Sequence, residues 1–107
     1  MWKVTTLNSQ VDAEIETLPD DLMAHFTRTM QLIQEKGLER MGMPHVRHID
    51  GPLWEIRFHG RNQIGRALYV TSMGKLIVIL RVFVKKTQKT PRREIGIALA
   101  RLKELQA

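Results

Sequence analysis

Between Leu53 and Pro91 apolar and polar positions alternate with a period of two, in three successive runs. In the first, Trp54, Ile56 and Phe58 point one way and Glu55, Arg57 and His59 the other, the pattern of a strand with two unlike faces. Gly60-Arg61-Asn62 marks a turn. From Ile64 to Thr71 the alternation resumes, with Ile64, Arg66, Leu68 and Val70 against Gly65, Ala67, Tyr69 and Thr71. Ser72-Met73-Gly74 closes a hairpin onto a third run, Lys75 to Lys85. Its unbroken Leu76–Leu80 stretch predicts a central position with both faces covered. Towards its exit Arg81, Phe83 and Lys85 share one face. The three runs predict a sheet that is apolar on one face and cationic on the other, with the two ends of the chain covering the apolar side.

The flanks carry a helical period instead. Met1 to Leu7 alternates weakly and reads as a short strand. Asn8 or Ser9 caps a helix in which Val11, Ile15 and Leu18 make one stripe, and Pro19 stops it. Asp20 or Asp21 caps a longer helix to about Lys36, with Leu22, Met23, Phe26, Met30 and Ile33 at helical spacing and Gly37 as its stop. Its methionines read as core filler. Leu38 to Pro52 reads as irregular, with two glycines, two prolines, His45 and His48. The His-x-x-His spacing lacks a cysteine or carboxylate partner set, so no metal site is assigned. Thr90 caps and Pro91 opens a last helix, whose stripe is Ile95, Ala98, Leu99, Leu102 and Leu105. The order β-α-α-β-β-β-α predicts an α+β fold: an antiparallel sheet with an N-terminal helical hairpin and a C-terminal helix, one domain over residues 1–107.

Charge changes this picture. Residues 1–50 hold 5 Lys/Arg against 8 Asp/Glu, a balance of −3, whereas residues 51–107 hold 12 against 3, a balance of +9. That asymmetry points to a polyanionic partner for the second half, a nucleic acid or an acidic protein. The absence of cysteine excludes disulfides, thiolate metal sites and cysteine nucleophiles. No signal peptide is visible, and the longest apolar run is far short of the roughly 20 residues a membrane span needs. The expectation is a cytoplasmic protein without membrane association or cofactor.

The pieces Leu53-Trp54-Glu55-Ile56-Arg57, Gly65-Arg66-Ala67-Leu68-Tyr69 and Phe83-Val84-Lys85-Lys86-Thr87-Gln88-Lys89-Thr90-Pro91, followed by a helix with Ile95 and Ala98, resemble the phage-derived, HigB-like branch of the RelE/ParE toxin superfamily. The resemblance spans nearly the whole chain. It implies a RelE-like fold and the toxin of a type II toxin–antitoxin pair, with a small helix-turn-helix antitoxin as partner. It further implies an endoribonuclease cutting messenger RNA at the ribosome. Some members of the superfamily instead poison DNA gyrase, and some phage-derived relatives have no demonstrated activity.

Metal-free RNA cleavage uses the adjacent 2′-hydroxyl as nucleophile. It requires a base for that hydroxyl, positive charge at the phosphoryl oxygens and an acid for the leaving 5′-oxygen. Arg57 and Arg66 are the candidate phosphate clamps, because a guanidinium is planar, always charged and bidentate. Lys85 and Lys86 are candidates for acid, base or further clamp; alternation on a strand puts these two in competition. His59 has the side chain whose ordinary pKa suits general acid–base work near neutrality. His59, Arg61, Arg81, Lys89, Arg92 and Arg93 are candidate RNA contacts. Tyr69 and Phe83 are each either a stacking platform or a core residue, and Trp54 reads as core. Glu55 reads as the partner that holds Arg57 or a cross-strand arginine in place. Which of these side chains meet depends on strand register, which alternation does not give.

Overall fold

The computed structural model describes residues 1–41, 46–85 and 89–106. Its elements are β1 (Lys3–Thr6), α1 (Ser9–Glu16), α2 (Asp20–Lys36), a short 3-10 turn (Leu38–Arg40), β2 (Val46–Asp50), β3 (Leu53–His59), β4 (Ile64–Ser72), β5 (Leu76–Lys85) and α3 (Arg92–Gln106). They form a mixed α+β fold around a five-stranded sheet of order β1-β5-β4-β3-β2. The pairs β2–β3, β3–β4 and β4–β5 are antiparallel, and β1 joins β5 in parallel.

The helix starts follow local chemistry only in part. Asn8 caps α1 through its side-chain oxygen, which accepts from the Gln10 and Val11 amides. The start of α2 differs from expectation: Pro19 occupies the cap position with no side-chain bond. Asp21 accepts from the adjacent Leu22 amide at 2.9 Å and from the Arg61 amide of the β3–β4 turn at 2.8 Å, so it makes a tertiary contact beside the local one. At α3 Thr90 does not cap either, because its hydroxyl is drawn into the sheet, as described below. Gly37 ends α2 with φ +93°, a backbone angle that favours glycine.

Three expectations need correction. The stretch Leu38–Pro52 is not irregular throughout, because Val46–Asp50 pairs with β3 and becomes the sheet edge. Its sequence, VRHID, is half-exposed and carries charge on both faces, so it has no strong period-two signature. Trp54 is not core: at the β2 side of the sheet it stays 38% exposed. It stacks edge-on against His48, with ring centroids 5.2 Å apart.

The third correction concerns the layers. The chain ends do not cover the same face. Val11, Leu18, Leu22, Phe26, Met30 and Ile33 of the N-terminal hairpin region pack with Ile56, Phe58, Ala67, Tyr69, Ile77, Ile79 and Val82 on one side of the sheet. Ala98 and Leu102 of α3 pack with Leu53, Leu68, Val70, Val78, Leu80 and Phe83 on the other. The face expected to be cationic is therefore apolar where α3 lies. Both faces of Ile77–Leu80 are buried, as the unbroken apolar run implied. Among the described residues, no helix is long and apolar enough to cross a membrane.

Candidate functional site: a buried charge cluster on the sheet

Register decides which candidates meet. Arg57 of β3 stands opposite Arg66 of β4, which stands opposite Phe83 of β5. One rung towards the open end, His59, Ile64 and Lys85 line up; one rung the other way, Arg47 of β2, Glu55, Leu68 and Arg81 line up. Because side chains alternate across a strand, Glu55, Arg57 and Arg66 all project from the α3 face.

They are buried there. Glu55 and Arg66 are 0% exposed and Arg57 7%. Arg57 Nε donates to Glu55 Oε1 at 2.8 Å. The Thr90 hydroxyl donates to Glu55 Oε2 in a short hydrogen bond. Arg66 Nη1 in turn approaches the Thr90 oxygen at 3.4 Å, a long contact for a hydrogen bond. Glu55 thus pairs with Arg57, one of the partners expected for it, and Thr90, read from the sequence as a helix cap, bonds this carboxylate. Burial lowers the Arg66 pKa from its ordinary value; the Glu55 carboxylate opposes that shift, and Arg57 and Arg47 add to it. The guanidinium remains a cation, in an environment that resists its charge.

The other candidates distribute differently. Lys85, Lys89, Arg92, Arg93, His59 and Arg61 are exposed, at the ends of β3 and β5, in the β3–β4 turn and around the start of α3, with Arg61 beside Asp20 and Asp21. The His59 amide donates to Nδ1 of His25, so this strand end is tied to α2. Lys86 lies outside the described residues, as does His45. Tyr69 faces away from the arginines into the helical-hairpin core, 1% exposed, where burial pushes its pKa up. Phe83 packs with α3 in the apolar cluster of that face.

Arg81 is held by carboxylates. Its Nη1 lies 2.6 Å from Glu14 of α1 and its Nε 2.6 Å from Glu94 of α3. Arg101 of α3 completes the group, 2.8 Å from Glu14. This network has a backbone reason. β1 stops at Thr6 opposite Ile79, so beyond it the outer edge of β5 meets no strand among the described residues. There the Val82 amide donates to Glu14, and the Leu80 carbonyl accepts from Arg101. Desolvation works against ionised Glu14, but the bonds from Arg101, the Val82 amide and Arg81 outweigh it and hold its pKa below the ordinary carboxylate value.

A concavity of about 380 Å³ lies on the hairpin face and is lined by Trp2, Leu38, Glu39, Met41, Val46, Trp54, Tyr69 and Thr71. Trp2 Nε1 donates to Glu39 at 2.6 Å across it. Among the described residues, no cluster of three or more His, Asp or Glu side chains is arranged to hold a metal ion.

A family model for phage-derived Gp49-like proteins matches residues 13–103. The chain belongs to that family. In fold it is similar to the archaeal RelE–RelB complex from Pyrococcus horikoshii OT3, with a TM-score of 0.58 at 19% identity, covering 82% of this chain and 98% of that one. The sheet and helices are those of a RelE-like fold, as the resemblance of the central stretch implied. A search of curated proteins found no match.

Proposed function

We propose that this Gp49-like protein is the toxin of a type II toxin–antitoxin pair, an endoribonuclease that cuts messenger RNA at the ribosome and is silenced by a cognate helix-turn-helix antitoxin. The observation that carries the reading is the direct cross-strand pairing of Arg57 with Arg66 beside the Glu55 carboxylate. Like charges directly opposite each other on a sheet are destabilising. Within this cluster Glu55 accepts from Arg57 and from the Thr90 hydroxyl. Taking a guanidinium out of water costs several kcal/mol, a cost that a purely structural position does not call for. A RelE-like fold with this cluster, rimmed by exposed Lys85, Lys89, Arg92 and Arg93, suits a phosphate backbone.

In this reading Arg57, whose edge reaches the surface, meets the scissile phosphate, and Arg66 supplies positive potential from behind it. Lys85 or Lys86 takes or returns the proton, and His59 and Arg61 contact RNA at the strand ends. The 2′-hydroxyl attacks the phosphorus, its proton passes to the base, and the leaving 5′-oxygen takes a proton from the acid. No metal or cofactor is invoked. The antitoxin would cover the basic rim with an acidic or helical segment, and the site of action would be the cytoplasm.

Induced expression tests the proposal. Growth should arrest and messenger RNA should be cut within reading frames, while Arg57→Ala and Lys86→Ala variants remain folded and lose toxicity. Growth arrest with intact RNA would overturn the nuclease assignment. One observation favours a second reading: Arg66 is fully buried and Arg57 nearly so. A non-nucleolytic poison, binding through the exposed lysines and arginines alone, would have no need of these two side chains. Its mark would be toxicity that survives Arg57→Ala.

A further inference from the structure

Arg47 has no role in the reading above. The stretch that holds it shows no period-two pattern, and its place on the sheet came only with register. It stands in β2 directly opposite Glu55 of β3. Residues directly opposite each other share a face, so Arg47 projects from the α3 face, where Arg57 and Arg66 lie. Unlike those two it is exposed. Among the described residues its side chain makes no hydrogen bond or ion pair, and Glu55 across the pairing is engaged by Arg57 and Thr90. We propose that Arg47 is a further RNA-binding residue of this site: it holds a phosphate one step along the strand from the phosphate at Arg57, on the opposite flank from Lys85 of β5. The inference rests on the RNA-binding reading of the α3 face and extends that site to the sheet edge.

Three observations support it. The first is reach. Arg57 lies two residues beyond Glu55, which makes it the diagonal neighbour of Arg47. Such positions are about 7–8 Å apart, comparable to the step between consecutive phosphates of a single strand. The second is access. α3 packs mainly against β5 and β4, so it leaves the β2 side of its own face open to a ligand. The third is the field. Burial is the main cause of the lowered Arg66 pKa, and the charge of Arg47 adds to it, so positive potential runs from the sheet edge to the buried arginines. A contrast lies on the same rung, which reads Arg47, Glu55, Leu68, Arg81 across the sheet. Arg81 at one end is tied to Glu14 and Glu94. Arg47 at the other end presents its charge to solvent. A cation on an edge strand also discourages pairing with another chain, and the experiment separates that use from RNA binding.

The test measures affinity for a single-stranded RNA oligonucleotide across a salt series. It compares the wild type with Arg47→Ala, Arg47→Lys and Arg28→Ala, the last removing an exposed cation of α2. Thermal melts establish a temperature at which each is folded, with Arg47→Gln as a replacement should Arg47→Ala fail to fold. Each phosphate contact on a single strand contributes about 0.7 to the slope of log affinity against log salt. Arg47→Ala should lower the slope by about that amount and lose about fivefold in affinity near 0.1 M salt. Arg47→Lys should keep both, and Arg28→Ala should keep the wild-type slope. A wild-type slope in Arg47→Ala overturns the proposal, and self-association of that variant would then assign the charge to guarding the edge. An equal loss in Arg28→Ala overturns it by making the effect one of net charge. Escape of Arg47→Ala from the antitoxin with RNA affinity unchanged overturns it by placing a protein there. If the wild type binds RNA without cleaving it and only the Arg47→Ala slope falls, Arg47 keeps its role and the nuclease assignment falls. If the wild type does not bind RNA, both fall together.

Discussion

The two faces of the sheet are built from the same three strands and solve opposite problems. On the helical-hairpin face, Phe58 meets Phe26 edge-on, with ring centroids 5.2 Å apart, and Ile56, Ala67 and Tyr69 complete an apolar layer. On the α3 face the neighbouring residues of those strands, Glu55, Arg57 and Arg66, are just as buried but charged. The first face needs nothing but area removed from water. The second needs each charge matched in position, as the Arg57–Glu55 ion pair and the Thr90 hydroxyl on the other Glu55 oxygen show. The difference teaches that burial alone does not separate scaffold from site. The chemistry of what is buried does.

The comparison can be broken hardest on its apolar side. Phe58→Ala removes a fully buried ring and should cost about 3–5 kcal/mol, read as a drop in the urea midpoint, with any loss of RNA binding following unfolding alone. On the charged side Glu55→Gln should cost less, about 2–3 kcal/mol, because the shape is kept and a charge-assisted bond is weakened. It also discriminates: RNA affinity per folded molecule should rise, since the internal competitor of phosphate is gone. Affinity that falls with stability would make the cluster scaffold like the opposite face.

Gly65 sharpens the comparison at the seam. A Cβ built there would come within 2.1 Å of the Phe58 ring, which is pinned by Phe26. Gly65→Ala should therefore overpack the hairpin-side core by about 1–3 kcal/mol, seen by thermal melting, and leave the Arg57–Arg66 pairing on the other face intact. The smallest expected effect lies at the β5 edge. The folded-state pKa of Glu14 is lowered, so the stability it contributes is present above its ordinary pKa near 4.5 and is lost as pH falls through the lower folded value. Glu14→Gln should cost about 1 kcal/mol at pH 7, and its melting curve should converge with that of the wild type as pH drops below about 4.5. A gap that persists at low pH would show that Glu14 acts by packing rather than charge.

The central strands were legible because their period-two pattern is strong, and α1, α2 and α3 because their apolar stripes repeat at helical spacing. β2 was not, because an exposed edge strand such as VRHID has no face that must be apolar. Tyr69 and Phe83 were left open by alternation. Each turned out to fill a core, Tyr69 under the hairpin and Phe83 under α3. Thr90 was read from its local signal, a hydroxyl before proline, and the tertiary partner won: a buried carboxylate without a second donor is a stronger demand than a helix start exposed to water.

By itself, the sequence determined the two-faced strands, the helices flanking them, the basic bias of the second half and the resemblance to RelE-like toxins, because periodicity, charge and motif spacing are written along the chain. Only the tertiary structure decided that α3 crosses to the face opposite the hairpin, that Arg57 and Arg66 are cross-strand partners, that Arg81 is held between Glu14 and Glu94, and that Thr90 stands between Glu55 and Arg66. These are matters of register and of contacts up to 67 residues apart, and a one-residue slip in pairing would have exchanged every one of those neighbours without altering the alternation of the strand.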